Sequence, residues 1–220
     1  MSTVRMSPVH ARLDALGARF AQRNDMAVAL QIDDHDIARA DTLALADLSH
    51  LHKAGFKGPG AADWVKNLGY PLPKPNGWAA LEGEALLARL ASSEFFIEAQ
   101  DRTVVDRVRA ALGQPVAGVY PVLRQDAGFA LTGDKVNELL VETCNVNFRD
   151  PELGRDSVVM STMVGVSVLV IRRDKAHRPC YRVWCDPTMA PYLWDTLAQI
   201  ARDLGGGPVG LSALADSPRS

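Results

Sequence analysis

Arg172 and Arg173 close the apolar run Val166 to Ile171, and Tyr181 follows after a polar break, so two guanidinium forks and a phenol lie near one another along the chain. Forked guanidinium donors match carboxylates in geometry and charge. Arg172 is therefore a candidate for gripping an anionic ligand tail, and Arg173, as a strand-end arginine, is equally a candidate for contact with another subunit. Trp78 follows Pro75-Asn76-Gly77 and is expected on a loop, where an indole can anchor a partner. Cys180 has Arg178 and Arg182 as neighbours, and positive charge favours a thiolate. Nothing else there marks a nucleophile, so a plain sheet cysteine is the simpler reading.

Other groupings hold less chemistry. His50 and His52 alternate along an expected strand and would face one side, but two imidazoles without a third ligand do not make a zinc site, and no metal is expected. Asp33-Asp34-His35-Asp36 has oxygens for a hard cation but not the Gly and distal Glu of a calcium loop, so it reads as a solvated turn. Gly55, Gly58 and Gly60 do not follow the G-x-G-x-x-G order of a dinucleotide cradle and instead suit a bend and a helix start. Ser49 and His50, as strand neighbours, would face opposite ways and form no dyad. Cys144, Cys180 and Cys185 are an odd set without C-x-x-C spacing, as expected of reduced thiols.

With 24 Lys plus Arg against 26 Asp plus Glu in 220 residues, the formal net charge is −2, and no broad positive field exists to gather phosphates. Nucleic acid is not an expected partner. The longest apolar stretch, Met163 to Ile171, is far short of the roughly 20 residues of a membrane helix. The start from Met1 to Pro8 lacks the apolar core of a secretory signal, so a cytoplasmic location is expected.

Several elements must position these groups. Ser7-Pro8 opens an expected helix with the stripe Val9, Leu13, Leu16 and Phe20. A strand is expected over Met26 to Ile32 and another near Thr42 to Phe56. A helix then carries Ala61, Trp64, Val65 and Leu68 on one face, and Gly69 stops it. Pro71, Pro73 and Pro75 stiffen a connector, after which Trp78 to Leu81 and Leu86 to Ala91 form a hairpin beside a strand at Phe95 to Ala99. Val104, Val105, Val108 and Leu112 give the next helix.

Val116 to Leu123 and Phe129 to Gly133 read as extended, and Val136, Leu139, Leu140 and Thr143 as one helix face. Val166 to Ile171 is apolar on both faces, the mark of an interior strand. Tyr181 to Cys185 is expected beside it across a turn from Arg173 to Pro179. Asp186-Pro187 opens the last helix, whose Leu193, Leu197, Ile200 and Leu204 recur at helical spacing. Trp64, Trp184 and Trp194 are expected in the core. The chain reads as α+β with one unit used twice: Gly55-Phe56 recurs as Gly128-Phe129, and the strand and helix of Ser93 to Thr103 recur from Gly165 to Leu197. The expectation is a single domain over residues 1–209, built of pseudo-repeats at about 26–113 and 114–206, with a mobile tail over 210–220.

Three stretches resemble a known family: Phe129-Ala130-Leu131-Thr132-Gly133-Asp134-Lys135 through Leu140, Ser167-Val168-Leu169-Val170-Ile171-Arg172-Arg173, and Ala190-Pro191-Tyr192-Leu193-Trp194. Together with Ser7-Pro8-Val9-His10 they are similar to the gamma subunit of heterotetrameric sarcosine oxidase, itself similar to the folate-binding domain of the glycine cleavage T-protein. Asp47-Leu48-Ser49-His50-Leu51, followed by Gly58-Pro59-Gly60-Ala61, resembles the T-protein opening motif. The resemblance implies two interleaved β-α-β repeats of the T-protein/TrmE type, with mainly antiparallel sheets and flanking helices.

It further implies a cytoplasmic oxidative demethylase of sarcosine or another N-methylamine. There, other subunits of the flavoprotein carry FAD, FMN and NAD, and one-carbon units pass to tetrahydrofolate. This chain would be a structural, gamma-type subunit with no cofactor of its own. The alternative is a stand-alone folate-dependent aminomethyl or methyl transferase, or a folate-binding module. In that case Arg172 would take the folate tail, Tyr181 would stack on the pterin, and Asp106, near the position of the T-protein's acid, would polarise the reacting centre. The sequence departs from the T-protein after Arg172. Arg173-Asp174-Lys175-Ala176-His177 replaces a Gly-Tyr-Thr-Gly-Glu stretch, and Arg182 stands where a later Glu is expected, which removes acceptors for the pterin's donors.

Overall fold

Short apolar runs punctuated by Gly, Pro and Asn favour many brief elements over a few long ones. The computed structural model describes residues 4–174 and 178–214, which follow that pattern. The first stretch contributes β1 (Arg5–Met6), α1 (His10–Ala15), β2 (Arg19–Arg23), β3 (Met26–Gln31), α2 (Asp36–Thr42) and β4 (Ala44–Asp47). Next come β5 (His52–Lys57), α3 (Ala61–Asn67), β6 (Gly77–Ala80), β7 (Leu86–Leu90), β8 (Glu94–Ala99) and α4 (Arg102–Leu112). After β9 (Tyr120–Val122) follow β10 (Ala127–Thr132), α5 (Val136–Thr143), β11 (Val158–Met163), β12 (Val166–Arg172), β13 (Cys180–Cys185), α6 (Ala190–Asp203) and β14 (Gly207–Pro208).

These elements belong to two compact units. One comprises the residues up to His50, Asp126–Arg155 and those from Met160 onward, and the other comprises Leu51–Gln125 with Asp156–Val159. The second unit is built on a five-stranded sheet in the order β6-β7-β8-β5-β9, antiparallel throughout. One face of it carries the core: Ala54, Phe56, Phe95, Ile97 and Ala99 meet Trp64 and Val65 of α3 and Val104, Val105 and Val108 of α4. Phe56 stacks on Phe95 at 5.1 Å and receives the edge of Trp64 at 4.7 Å, contacts worth about 0.5–1.5 kcal/mol each beyond their burial. Asp101 starts α4 by accepting the N–H of Thr103 at 2.9 Å.

The first unit carries a six-stranded sheet ordered β11-β12-β13-β10-β4-β14. Its central pairs are antiparallel, and β14 runs parallel to β4. Leu139 and Leu140 of α5 and Leu193, Trp194 and Leu197 of α6 are buried, and Trp194 meets Phe129 of β10 at 5.4 Å between ring centres. β14 approaches β4 so closely that a Cβ on Gly206 would lie 2.1 Å from the carbonyl oxygen of Leu43. A three-stranded sheet, β1-β3-β2, completes this unit.

The repetition expected from the sequence appears in the topology. The series β5-α3-β6-β7-β8-α4 has the same order of elements as β10-α5-β11-β12-β13-α6, and β6-β7-β8-β5 matches β11-β12-β13-β10 across the sheets. The strand before each series crosses over: β9 joins the sheet of the first series beside β5, and β4 joins that of the second beside β10. The fold is α+β, with two interleaved repeats and mainly antiparallel sheets.

The structure corrects several boundaries. Phe20 lies on β2 rather than on α1, because the chain turns out of the helix at Gly17, whose φ is +78°. The segment from Thr42 to Phe56 is not one strand: Thr42 ends α2, and a turn held by Asp47 separates β4 from β5. Of Val116 to Leu123, only Tyr120–Val122 is strand. α6 starts at Ala190, since the Asp186 carboxylate binds the Thr188 N–H at 2.8 Å in a turn of its own.

β11 was not anticipated, while β12 is interior and β13 pairs beside it as expected. Of the turn expected between them, Lys175 to His177 lie outside the described residues. Of the segment from Gly210 onward, the Gly210 N–H donates to Asp36 Oδ2 at 2.8 Å and Leu211–Leu214 forms a 3-10 turn, while residues 215–220 lie outside the described residues.

Candidate functional site

The antiparallel register of β12 and β13 sets Arg172 directly opposite Tyr181, so these two predicted groups are brought together. The guanidinium carbon of Arg172 lies 5.9 Å from the Tyr181 ring centre, a cation–π arrangement. Arg172 Nε donates to Asp174 Oδ1 at 2.7 Å, and Arg155 Nη1 donates to Asp174 Oδ2 at 3.2 Å. The hydrogen bond to Asp174 raises the Arg172 pKa further, against the lowering effect of burial. One carboxylate is thus shared by two guanidinium groups, and Arg172 already has an anionic partner within the chain.

Tyr181 is fully buried. Its hydroxyl donates to Asn137 Oδ1 on α5 at 3.1 Å, and Phe148 meets its ring edge-on at 5.4 Å. Burial pushes the phenol pKa up, with Arg172 pulling the other way. The ring therefore serves as a packed strut between sheet and helix, with no exposed face for a stacked ligand. The Arg173 N–H donates to Cys180 O at 2.7 Å and closes the ladder at that strand end. Arg182, where the T-protein pattern has Glu, lies buried on β13.

Asp106 belongs to the second unit, on α4. It accepts from Arg102 Nε one turn earlier at 2.7 Å, so this carboxylate is engaged in an i,i+4 surface pair. Trp78 is on β6 opposite Ala88 rather than on a loop, and its backbone N–H donates to Asp156 O at 2.8 Å. Cys144, Cys180 and Cys185 are free thiols and all buried, and burial pushes the Cys185 pKa up to about 12. That environment opposes the thiolate.

The opening-motif residues hold the fold. Ser49 lies in the turn after β4, where its hydroxyl donates to Asp47 Oδ1 at 2.6 Å and accepts the Gly128 N–H at 3.2 Å, so it ties β4 to β10. Asp36 is buried rather than solvated, and it accepts the N–H of Ile32 at 2.9 Å. Among the described residues no group of three or more His, Cys, Asp or Glu is arranged to hold a metal ion, and no helix is long and apolar enough to cross a membrane.

A charged pair in the second unit escaped the sequence reading. Lys53 of β5 and Glu98 of β8 are directly cross-strand, with Nζ and Oε2 3.7 Å apart and side chains only 4% and 2% exposed. Lys53 Nζ also donates to Leu51 O at 3.1 Å. The pair lies on the sheet face opposite α3 and α4, where Arg124 stands 5.5 Å from the Phe96 ring centre and pairs with Glu94. Charges buried this deeply persist because each is compensated by the other. The available signal was a Lys and a Glu interrupting apolar strands, but only the register shows that they meet.

No family model and no curated protein sequence matches this chain. Among solved structures it is similar to the glycine cleavage system aminomethyltransferase T of Bartonella henselae, with a TM-score of 0.77 and 15% identity over 96% of this chain and 60% of that one. It is also similar to a chain of the heterotetrameric sarcosine oxidase of Corynebacterium sp. U-96, with a TM-score of 0.66 and 18% identity over 92% of this chain and 97% of that one. The present chain spans about 60% of the length of the aminomethyltransferase. At such identities the likeness establishes architecture alone: this chain has the T-protein-like fold that the aminomethyltransferase and the oxidase chain share.

Proposed function

We propose that this chain is a gamma-type subunit of a multimeric sarcosine or related N-methylamine oxidase, in which it braces a catalytic partner. The observation that carries this reading is the likeness to a chain of the heterotetrameric sarcosine oxidase along 92% of this chain, joined to the engagement of the expected ligand groups within the chain itself. The predicted ligand groups support it. Arg172 is bound to Asp174, Tyr181 is enclosed, and Asp106 is paired with Arg102. Oxidative demethylation would then occur in the cytoplasm on other subunits, which hold FAD, FMN and NAD and pass the one-carbon unit to tetrahydrofolate.

The test is to isolate the tagged chain from its native cells and, separately, as a lone polypeptide. Flavin-bearing subunits are expected in fixed ratio with the first preparation, while the second is expected to be colourless. Stoichiometric flavin on the lone chain would refute the proposal. The larger TM-score to the aminomethyltransferase favours a second reading, a folate-dependent aminomethyl or methyl transferase or a folate-binding module with Arg172 on the folate tail. Calorimetry of the lone chain with tetrahydrofolate separates the two readings: the first expects no heat at sub-millimolar ligand, and the second expects saturable binding.

A further inference from the structure

The tip of the β11–β12 hairpin is where α5 ends and α6 begins. The Val164 N–H donates to Thr143 O at the last turn of α5 at 2.8 Å, and the Tyr192 hydroxyl on the first turn of α6 donates to Val164 O at 3.3 Å. Apolar side chains stand in solvent at this end of the unit: Val141 is 66% exposed, Tyr192 53% and Met189 41%. Val141 and Tyr192 are carried on helices and Met189 is the capping residue of α6, so they are held in place rather than trailing.

Two further features distinguish this surface. Val164 has φ +45° and precedes Gly165 at +85° in the hairpin turn, a left-handed conformation that strains a β-branched residue and that Asn or Gly adopts freely. An apolar side chain is thus kept at the tip against the chain's own preference, and strain of this kind gathers at functional positions. The rim is also largely acidic. Residues 139–143, 160–166 and 186–196 contain Glu142, Asp186 and Asp195 and no Lys or Arg, although the whole chain is nearly balanced. Glu142 and Asp186 are exposed, while Asp195 is paired with Arg12 at 3.0 Å.

We propose that this hairpin-tip surface is a docking site for a different polypeptide that presents an apolar hollow ringed by Lys or Arg; resting on the reading above, that polypeptide is a partner subunit of the oxidase assembly. A second copy of this chain does not fit, because a two-fold contact would bring the acidic rim against itself. Tyr192 would be the central anchor, as a partly exposed tyrosine between rigid elements suits an interface hot spot. The carboxylates would steer the approach and exclude acidic surfaces.

The test uses the full chain, tagged in its native cells, with co-purifying subunits identified and quantified by mass spectrometry. Tyr192→Ser and Glu142→Lys are each expected to reduce retained partner by about tenfold or more. Leu123→Ser, at a residue 81% exposed in the other unit, is expected to leave retention unchanged. Val164→Asn guards against loss by misfolding: it should raise the melting temperature of the lone chain while lowering partner retention. Undiminished retention by Tyr192→Ser and Val164→Asn, or equal loss by Leu123→Ser, would overturn the proposal. If the rim variants keep a flavin-bearing partner, the docking site falls and the assembly reading stands. If they lose a partner that carries no flavin, the docking site stands and the assembly reading falls.

Discussion

Asp36 shows how much structure one carboxylate can organise. It accepts the N–H groups of Ile32 at 2.9 Å, Asp33 at 3.3 Å and Gly210 at 2.8 Å, and a guanidinium bond from Arg39 at 2.6 Å. Asp36→Ala would leave buried donors without an acceptor and is expected to destabilise the chain by about 2–4 kcal/mol, measured by urea denaturation. In the sequence the acidic run around it suggests a cation loop or a solvated turn, because one of the backbone groups it satisfies, the Gly210 N–H, lies far away along the chain. Arg172 and Tyr181 were legible as strand residues, whereas the capture of Arg172 by Asp174 depends on how the chain leaves β12. Lys53 and Glu98 were hidden for a similar reason: charge is visible in sequence and register is not.

Titration is expected to act at both ends of the pH range. The N–H of His35 holds the Asp33 carboxyl below its ordinary range, the N–H of Thr103 does so for Asp101, and the Thr188 hydroxyl for Asp186. A depressed carboxyl stabilises the fold above its unfolded pKa and loses that contribution as pH falls through the folded value. The urea midpoint should therefore fall as pH drops below about 4. Cys185 acts in the opposite sense: its folded pKa is raised from 9.0 to about 12, so its contribution is full below pH 9.0 and is lost as pH climbs toward 12. At pH 8 a thiol reagent should label none of the three cysteines in the native chain and all of them in denaturant.

At the scale of elements, legibility followed amphipathic pattern and failed where tertiary contacts decide. α4 could be read from Val104, Val105 and Val108, and β12 from an unbroken apolar run. β11 could not, since its Ser161 and Thr162 break the apolar alternation and its strand state comes from pairing with β12. β14 is two residues long, and its place depends on Gly206, where a Cβ would meet the Leu43 carbonyl oxygen at 2.1 Å and the Leu43 Cβ at 2.6 Å. The carbonyl of Leu43, a buried residue between α2 and β4, already accepts the Gly207 N–H at 2.9 Å and cannot swing aside without losing that bond. Gly206→Ala is thus expected to destabilise the chain by about 1–3 kcal/mol, read from the shift in urea midpoint, with hydrogen exchange quickened first at β14 and the adjoining edge of β4.

For the whole molecule, the crossing of β4 and β9 makes each sheet depend on the other half of the chain. The proposed pseudo-repeats, about 26–113 and 114–206, divide the sequence between these strands, so a cut after Gly113 leaves β4 with one fragment while β10, its antiparallel partner, goes with the other. β4 is apolar and its Ala44, Leu45 and Ala46 are fully buried, so a fragment ending at residue 113 would expose them, and one starting at 114 would expose the edge of β10. Open apolar edges of this kind favour aggregation over folding. β9 adds the reciprocal demand, pairing through Tyr120, Pro121 and Val122 with β5 of the earlier fragment. Fragments 1–113 and 114–220 are accordingly expected to lack dispersed amide spectra when made separately and to recover them when refolded together. If either fragment folded alone with native dispersion, the exchanged strands would be dispensable and the repeats would be independent domains; recovery only in the mixture would make the exchange itself the source of the fold's cooperativity.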